Sequence, residues 1–313
     1  MSLHANFYTD YMDLVQPHDV YMYYSRCKYI IVVLRKGGIS TISPPELDAK
    51  SAYDEDDFSP FAITCLQETF YVTDKKKISV FDKTFQKRNV ITHKYLTAPV
   101  GIDSRSEQLF VLNGKKKEVN TSIVILQTDG TFIRKIAENV FTDPWSLKIN
   151  SGGSLVVSDT GAYKLLIINK KTGNCIYTYN LPSKDGQGIQ CRGLDIDNED
   201  NIFVSLRREG LRRQYEYIAL FSKDFTSHYT ICDDGSDPSY FTTWKRLHGF
   251  REDIVNGVWG PQIKPFNFVR GIHCNIFLKK NVLFTVDAEN ECVRMLTLTT
   301  TNDDVFKEAG LAV

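Results

Sequence analysis

Apolar residues in this chain come in short runs rich in β-branched side chains, separated by Gly, Asn and Asp, and not at the spacing of an amphipathic helix. The clearest stretch runs from Asp143 to Tyr177. A Pro-led opening (Pro144-Trp145-Ser146) precedes a strand at Leu147 to Ile149. After a Gly152-Gly153 turn comes a second strand, Leu155 to Ser158, and then an Asp159-Thr160-Gly161 turn. Two more strands, Lys164 to Ile168 and Cys175 to Tyr177, are joined by a turn at Gly173. Four strands in about 35 residues is the period of one blade of a β-propeller.

The unit recurs. The residues two positions after each lead residue are Asp19, Ala62, Gly101, Ser146, Gly193 and Gly271, with separations of 43, 39, 45, 47 and 78. Six units therefore predict an all-β fold, a single six-bladed propeller of four-stranded antiparallel blades occupying residues 1–313. One unit cannot cover both faces of its own sheet, so stacking on neighbours and closing the ring removes the exposed sides. Closure needs a clasp, and Asn6 to Tyr8 is the segment expected to add the outer strand of the sixth unit. The long last separation reflects an insertion at 233–266. Asp237, Pro238 and the spacing of Phe241, Trp244 and Leu247 suit a helix there, whereas Gly249 and Gly257 suit an ordered loop.

Charge changes this picture little. The 38 Lys and Arg balance 38 Asp and Glu, so any attraction to polyanions must come from a local patch. The longest apolar run, Tyr29 to Leu34, is too short to span a bilayer, and Met1 to Asp10 lacks the apolar core of a secretory signal. An intracellular, cytoplasmic protein is the expectation. Seven cysteines, at 27, 65, 175, 191, 232, 274 and 292, never fall as CxxC, which argues for free, mostly buried thiols and not for a disulfide framework or zinc knuckle.

The recurring pattern, best preserved at Pro99-Val100-Gly101-Ile102-Asp103 and at Leu155-Val156-Val157-Ser158-Asp159-Thr160-Gly161, resembles the NHL repeat over about Pro17 to Leu296. The strand-closing Asp persists as Asp74, Asp159 and Asp287, becomes Asn113, and is lost at Leu34 and Leu206. No RING, B-box or coiled-coil sequence accompanies it. The resemblance implies that the lead segments and the turns between second and third strands share one face, around a central channel, where ligands sit. That family includes RNA-binding and substrate-recruiting domains, and at the level of fold it is similar to peptidyl-amidating lyases and gluconolactonase-like hydrolases.

The residue after each lead position is then expected at the channel mouth: His18, Phe61, Val100, Trp145, Arg192 and Arg270. His18, Phe61, Trp145, Arg192 and Arg270 form the candidate ligand-binding set. One His among six positions does not make a zinc site, and Asp19 is the only acidic residue expected in the lead segments, so neither metal nor cofactor is expected. Asp74, Asp159 and Asp287 read as turn-capping groups. No GxSxG-type motif marks a nucleophile. The turns on the same face carry Arg35-Lys36, Lys75-Lys76-Lys77, Lys115-Lys116-Lys117, Lys164, Arg207-Arg208 and Arg212-Arg213. Of these, Lys75 to Lys77, Lys115 to Lys117, Arg207, Arg208, Arg212 and Arg213 are candidate contacts for single-stranded RNA, or solvated loop tips. Trp244 and Trp259, in the insertion, are candidate protein contacts. These features favour a non-catalytic scaffold for a protein partner, alone or within a larger assembly. RNA binding is the alternative and a metal-dependent lyase or lactonase-like hydrolase the second alternative. Buried arginines at the mouth require counter-charges, either a carboxylate such as Asp19 or an anionic ligand.

Overall fold

A computed structural model of the chain describes residues 3–11, 14, 16–25, 28–43, 49–114, 120–181, 183–184, 187–209, 214–226, 228–231, 268–277 and 280–300. After β1 (Leu3–Tyr11), blade 1 comprises β2 (Pro17–Ser25), β3 (Lys28–Arg35), β4 (Gly38–Ile42) and β5 (Lys50–Asp54). Blade 2 comprises β6 (Pro60–Leu66), β7 (Thr69–Asp74), β8 (Lys77–Phe81) and β9 (Lys87–Thr92). Blade 3 follows with β10 (Pro99–Arg105), β11 (Gln108–Asn113), β12 (Ser122–Gln127) and β13 (Phe132–Ile136). Blade 4 is β14 (Pro144–Ile149), β15 (Leu155–Asp159), β16 (Lys164–Ile168) and β17 (Cys175–Asn180). A small hairpin, β18 (Ser183–Lys184) with β19 (Gln187–Gly188), leads to blade 5: β20 (Gln190–Ile196), β21 (Ile202–Glu209), β22 (Gln214–Phe221) and β23 (His228–Ile231). Blade 6 is β24 (Val269–Phe277), β25 (Lys280–Asp287) and β26 (Cys292–Thr300), completed by β1.

All six sheets are antiparallel, and the innermost strands pack in a closed circuit: β2 on β6, β6 on β10, β10 on β14, β14 on β20, β20 on β24, and β24 on β2. The clasp forms as the sequence predicts, and it is longer than Asn6 to Tyr8: β1 pairs with β26 from Leu3 opposite Thr300 to Tyr11 opposite Val293. The insertion at 233–266, with Trp244 and Trp259, lies outside the described residues.

The cores lie at the seams between blades. Val32, Leu34 and Ile39 of blade 1 pack with Phe70, Val72 and Phe81 of blade 2, and Val20, Ile31 and Val33 pack with Phe284, Val286 and Met295 of blade 6. Burying each such side chain stabilises by roughly 1.5–3 kcal/mol, and only a neighbour supplies the second wall, so the blades depend on one another. The recurrent glycine has a related cause. A Cβ on Gly271 would sit 2.4 Å from Asp19 Oδ1, and one on Gly193 would sit 2.6 Å from the Arg270 carbonyl oxygen. Glycine stands where the innermost strand of the next blade in contact comes too close for a side chain.

The strand-closing acids act as caps. Asp159 accepts from the backbone N–H groups of Thr142, Asp143 and Ala162, Asp74 from Ser59, and Asn113 from Thr97 and Ala98, so each holds the approach to its own blade's lead proline. Asp287 is also buried against Arg294, at 3.2 Å. Among the described residues, Cys65, Cys175, Cys191, Cys274 and Cys292 are in no disulfide; Cys191 and Cys292 are buried and Cys175 is exposed. No helix among them is long and apolar enough to cross a membrane.

Candidate functional site

Each innermost strand slips register at its lead segment: between Pro17 and Asp19, Pro60 and Ile63, Pro99 and Gly101, Pro144 and Ser146, Cys191 and Leu194, and Val269 and Gly271. A bulge frees one residue from the ladder and re-aims its side chain. The positions left out of the ladders include His18, Phe61, Val100, Trp145, Arg192 and Arg270.

All five candidate ligand-binding residues join one contact chain across the mouth. His18 lies 6.1 Å from Phe61, and Phe61 lies 5.1 Å from Trp145. Trp145 Nε1 donates across the channel to the Arg270 carbonyl, at 3.2 Å. The Arg192 guanidinium lies 5.6 Å from the Trp145 ring centre. Val100 abuts Gly114 at the side.

Phe268, absent from the sequence-derived ring, is the centre of the cluster. The guanidinium groups of Arg192, Arg270 and Arg207 lie 4.0, 4.8 and 5.0 Å from its ring centre. Its backbone is held at φ +75°, a conformation that costs a bulky L-residue about 1–3 kcal/mol. Cations stacked on an aromatic face recover part of that, roughly 0.5–2 kcal/mol each.

Counter-charge comes from Glu216, not from Asp19. Glu216 reaches Arg192 at 3.3 Å and Arg207 at 3.6 Å, and its other oxygen accepts from Val269 N at 2.5 Å. Burial raises its pKa, against the pull of that N–H and of Arg192 and Arg207. Asp19 instead accepts from Ile63 N at 3.1 Å and Val20 N at 2.9 Å, tying blade 1 to blade 2. Arg270 has neither acid. Its Nη1 lies 3.1 and 3.2 Å from the two ring nitrogens of His18, and its buried Nε has no hydrogen-bond partner. Burial, then the charge of Arg270, lowers the His18 pKa to about 4, so this imidazole is neutral at pH 7.

Three residues deeper, each strand places another side chain in the lumen: Tyr21, Thr64, Asp103, Lys148, Asp195 and His273. Asp103 and Asp195 add carboxylates beyond the lead-segment Asp19, because they follow the bulge and regain the alternation of the strand. Asp195 meets Lys148 at 3.3 Å and His273 Nδ1 at 2.9 Å, and accepts from Cys274 N at 2.8 Å. Asp103 accepts from Ile149 N and Ser104 N, both at 2.8 Å. His273 stacks on Tyr21 with ring centres 4.5 Å apart. Burial works against both charges, yet Lys148 is held well above the usual lysine range by Asp195, Asp103 and Asp19, while Asp195 is held far below the carboxylate range by Lys148 and His273. Burial raises Asp19 to about 6. Among the described residues, no group of three or more His, Cys, Asp or Glu is arranged to hold a metal ion.

The turns between second and third strands do flank the lead residues, since Arg35 pairs with Pro17 and Asp74 with Pro60 in the ladders. Several of their cations are already matched. Arg35 is paired with Asp54, Lys75 with Asp57 at 3.4 Å, and Lys77 with Asp74 at 3.2 Å. Lys76 lines an open recess with Thr92, His93, Lys94, Leu96 and Thr97. Arg207 belongs to the mouth cluster and Arg208 is half-buried beside it. Lys115 to Lys117, Arg212 and Arg213 lie outside the described residues.

No known family profile and no curated protein sequence matches the chain. Its similarity lies in solved structures. Virginiamycin B lyase from Staphylococcus aureus has a TM-score of 0.57 at 13% identity, covering 93% of this chain and 99% of that one. A gluconolactonase from Xanthomonas campestris has a TM-score of 0.62 at 12% identity, covering 92% and 88%. The Pan2 WD40 domain of Neurospora crassa has a TM-score of 0.59 at 9% identity, covering 92% and 90%. At such identities the likeness carries the fold, and the chain is a six-bladed β-propeller.

Proposed function

We propose that this propeller, with degenerate NHL-like repeats, is a non-catalytic platform that recruits a protein partner at the mouth of its channel. The observation that carries the reading is the convergence of Trp145, Phe61 and Phe268 with Arg192, Arg207 and Arg270. Large rings and guanidinium groups are the side chains that anchor protein interfaces. The lumen supports the same view. Asp103 and Asp195 spend their oxygens on the backbone of a neighbouring blade and on Lys148 and His273, which suits struts better than proton-transfer groups. Similarity to a lyase and a gluconolactonase at 12–13% identity concerns architecture, and architecture does not carry chemistry. RNA binding is the weaker reading because Lys75, Lys77 and Arg35 already have acidic partners.

Site-specific photo-crosslinking tests the platform. A benzophenone amino acid at position 61, at the mouth, is expected to give a discrete protein adduct in extract of the source cells. The same group at position 171, an exposed turn at the other end of blade 4, is expected to give none. Equal labelling from both positions, or RNA as the only adduct, would sink the reading.

A further inference from the structure

Arg270 is the one arginine of the mouth cluster for which the structure provides no acid. Its Nη1 is almost equidistant from both nitrogens of His18. A neutral imidazole has one acceptor nitrogen, and a donor aimed along its lone pair would sit well away from the other nitrogen, so that lone pair is not met head-on. Its Nε is buried without a hydrogen-bond partner. No salt bridge joins Arg270 to a described residue; Glu289, exposed on the β25–β26 turn, acts on it only at a distance. Asp19, beside His18 in the lead segment of blade 1, is committed to Ile63 N and Val20 N. Beside this guanidinium stand Phe268, strained at φ +75°, and Trp145, whose Nε1 holds the Arg270 backbone in place. Backbone strain that the surroundings hold in place is a mark of a ligand-clamping position.

We propose that Arg270 is the anchor for one carboxylate of the protein partner, with Phe268 and Trp145 as the apolar walls of the subsite. This assignment rests on the binding-platform reading above. A guanidinium gives two parallel donors to a carboxylate, which supplies geometry as well as charge. A single carboxylate suits the site better than a phosphate backbone. A polyanion needs a track of open cations, and the flanking Lys75, Lys77 and Arg35 are paired while the blade 6 turn is acidic at Glu289 and Glu291. The carboxylate can come from an acidic side chain or from a chain terminus.

Equilibrium binding by fluorescence anisotropy separates these sources. The probes are dye-labelled acetyl-hexaglutamate amide, which has side-chain carboxylates only, dye-labelled acetyl-hexaglutamine with a free C-terminus, and a labelled oligouridylate. Each is titrated with the full chain, with Arg270→Ala and with Arg270→Lys, at low salt. One of the two peptides is expected to bind with Kd at or below ~1 mM, and Arg270→Ala to weaken it at least about tenfold, with Arg270→Lys in between. Equal binding to the wild type and both variants, or no saturable peptide binding up to ~10 mM, overturns the assignment. RNA binding that needs Arg270 while neither peptide binds also overturns it, in favour of a nucleic-acid ligand. Arg270→Lys keeps the charge and stem, so it decides the matter if the alanine variant does not fold. Peptide failure with the position 61 adduct intact removes only the carboxylate anchor; loss of the adduct as well removes the platform.

Discussion

The mouth and the lumen are built from the same six strands, three residues apart, and they treat charge in opposite ways. In the lumen every described charge has an internal answer: Lys148 faces Asp195, Asp103 and Asp19, and the carboxylates also accept backbone N–H groups across the blade seams. At the mouth, Glu216 answers Arg192 and Arg207 while Arg270 has a neutral imidazole. A layer shut off from water must be neutralised by the protein itself, since an unpaired interior charge costs several kcal/mol. A rim can leave a charge to solvent until a ligand arrives. The lumen thus reads as structure, and the mouth is where a site is proposed.

Removing charge from the two layers should have unequal consequences. Lys148→Met leaves Asp195, Asp103 and Asp19 facing one another, and a loss of about 3–5 kcal/mol in urea unfolding at pH 7 is expected. A loss below about 1 kcal/mol would show that the lumen is wetter than described and would erase the contrast. Deleting Leu3–Tyr11 strips the outer strand from the blade that carries both Arg270 and His273. It should cost about 2–4 kcal/mol, read as a lowered Tm, while an unchanged Tm would show that the ring closes without it.

A milder test concerns Asp19. Its pKa is raised to about 6, chiefly by burial, whereas the unfolded chain titrates near 4, so the native state holds more protons between those values. Its contribution is therefore fully present below about pH 4 and is lost as pH rises through about 6, about 1–3 kcal/mol in all. Asp19→Asn should flatten that decline in unfolding experiments at pH 4 to 7; a parallel curve for the variant would mean that Asp19 ionises normally. Asp195 works in the other direction and only in stronger acid, because its depressed pKa favours the fold above the unfolded carboxylate range. The smallest effect is expected at Arg270, where alanine should cost about 0.5–2 kcal/mol, the loss of its stacking on Phe268, since no acid loses its partner. A larger loss would turn this arginine into a strut.

The blade count and the mouth positions were legible because both follow from local spacing: a proline, a bulge, a glycine two residues on, and four β-rich runs. The capping roles of Asp74, Asp159 and Asp287 were legible for the same reason. Glu216 and Phe268 were not. Glu216 sits in a third strand, and its partners come from β20, β21 and β24, so its role depends on the seam between blades 5 and 6. An acid within an otherwise apolar run, Tyr215 to Phe221, was the available signal. Phe268 precedes a lead position occupied by Val269 in place of proline, so no motif marked it. The lumen layer could have been read by counting four residues past each lead position, yet its neutrality depends on which of those side chains meet across the channel. The acidic partners of Lys75 and Arg35, likewise, come from loops and strands whose placement only the folded seams define.

The clasp joins Leu3 to Thr300. During synthesis β1 leaves the ribosome well before its ladder partner β26. Until β26 is made, β1 must wait as a strand without a sheet, and blade 1 must wait for the wall that β24 and β25 provide. Contacts so distant in sequence are slow to form. Temporary cover for that first strand, by a chaperone or by a competing pairing, would govern the yield of native protein without altering the stability of the finished ring.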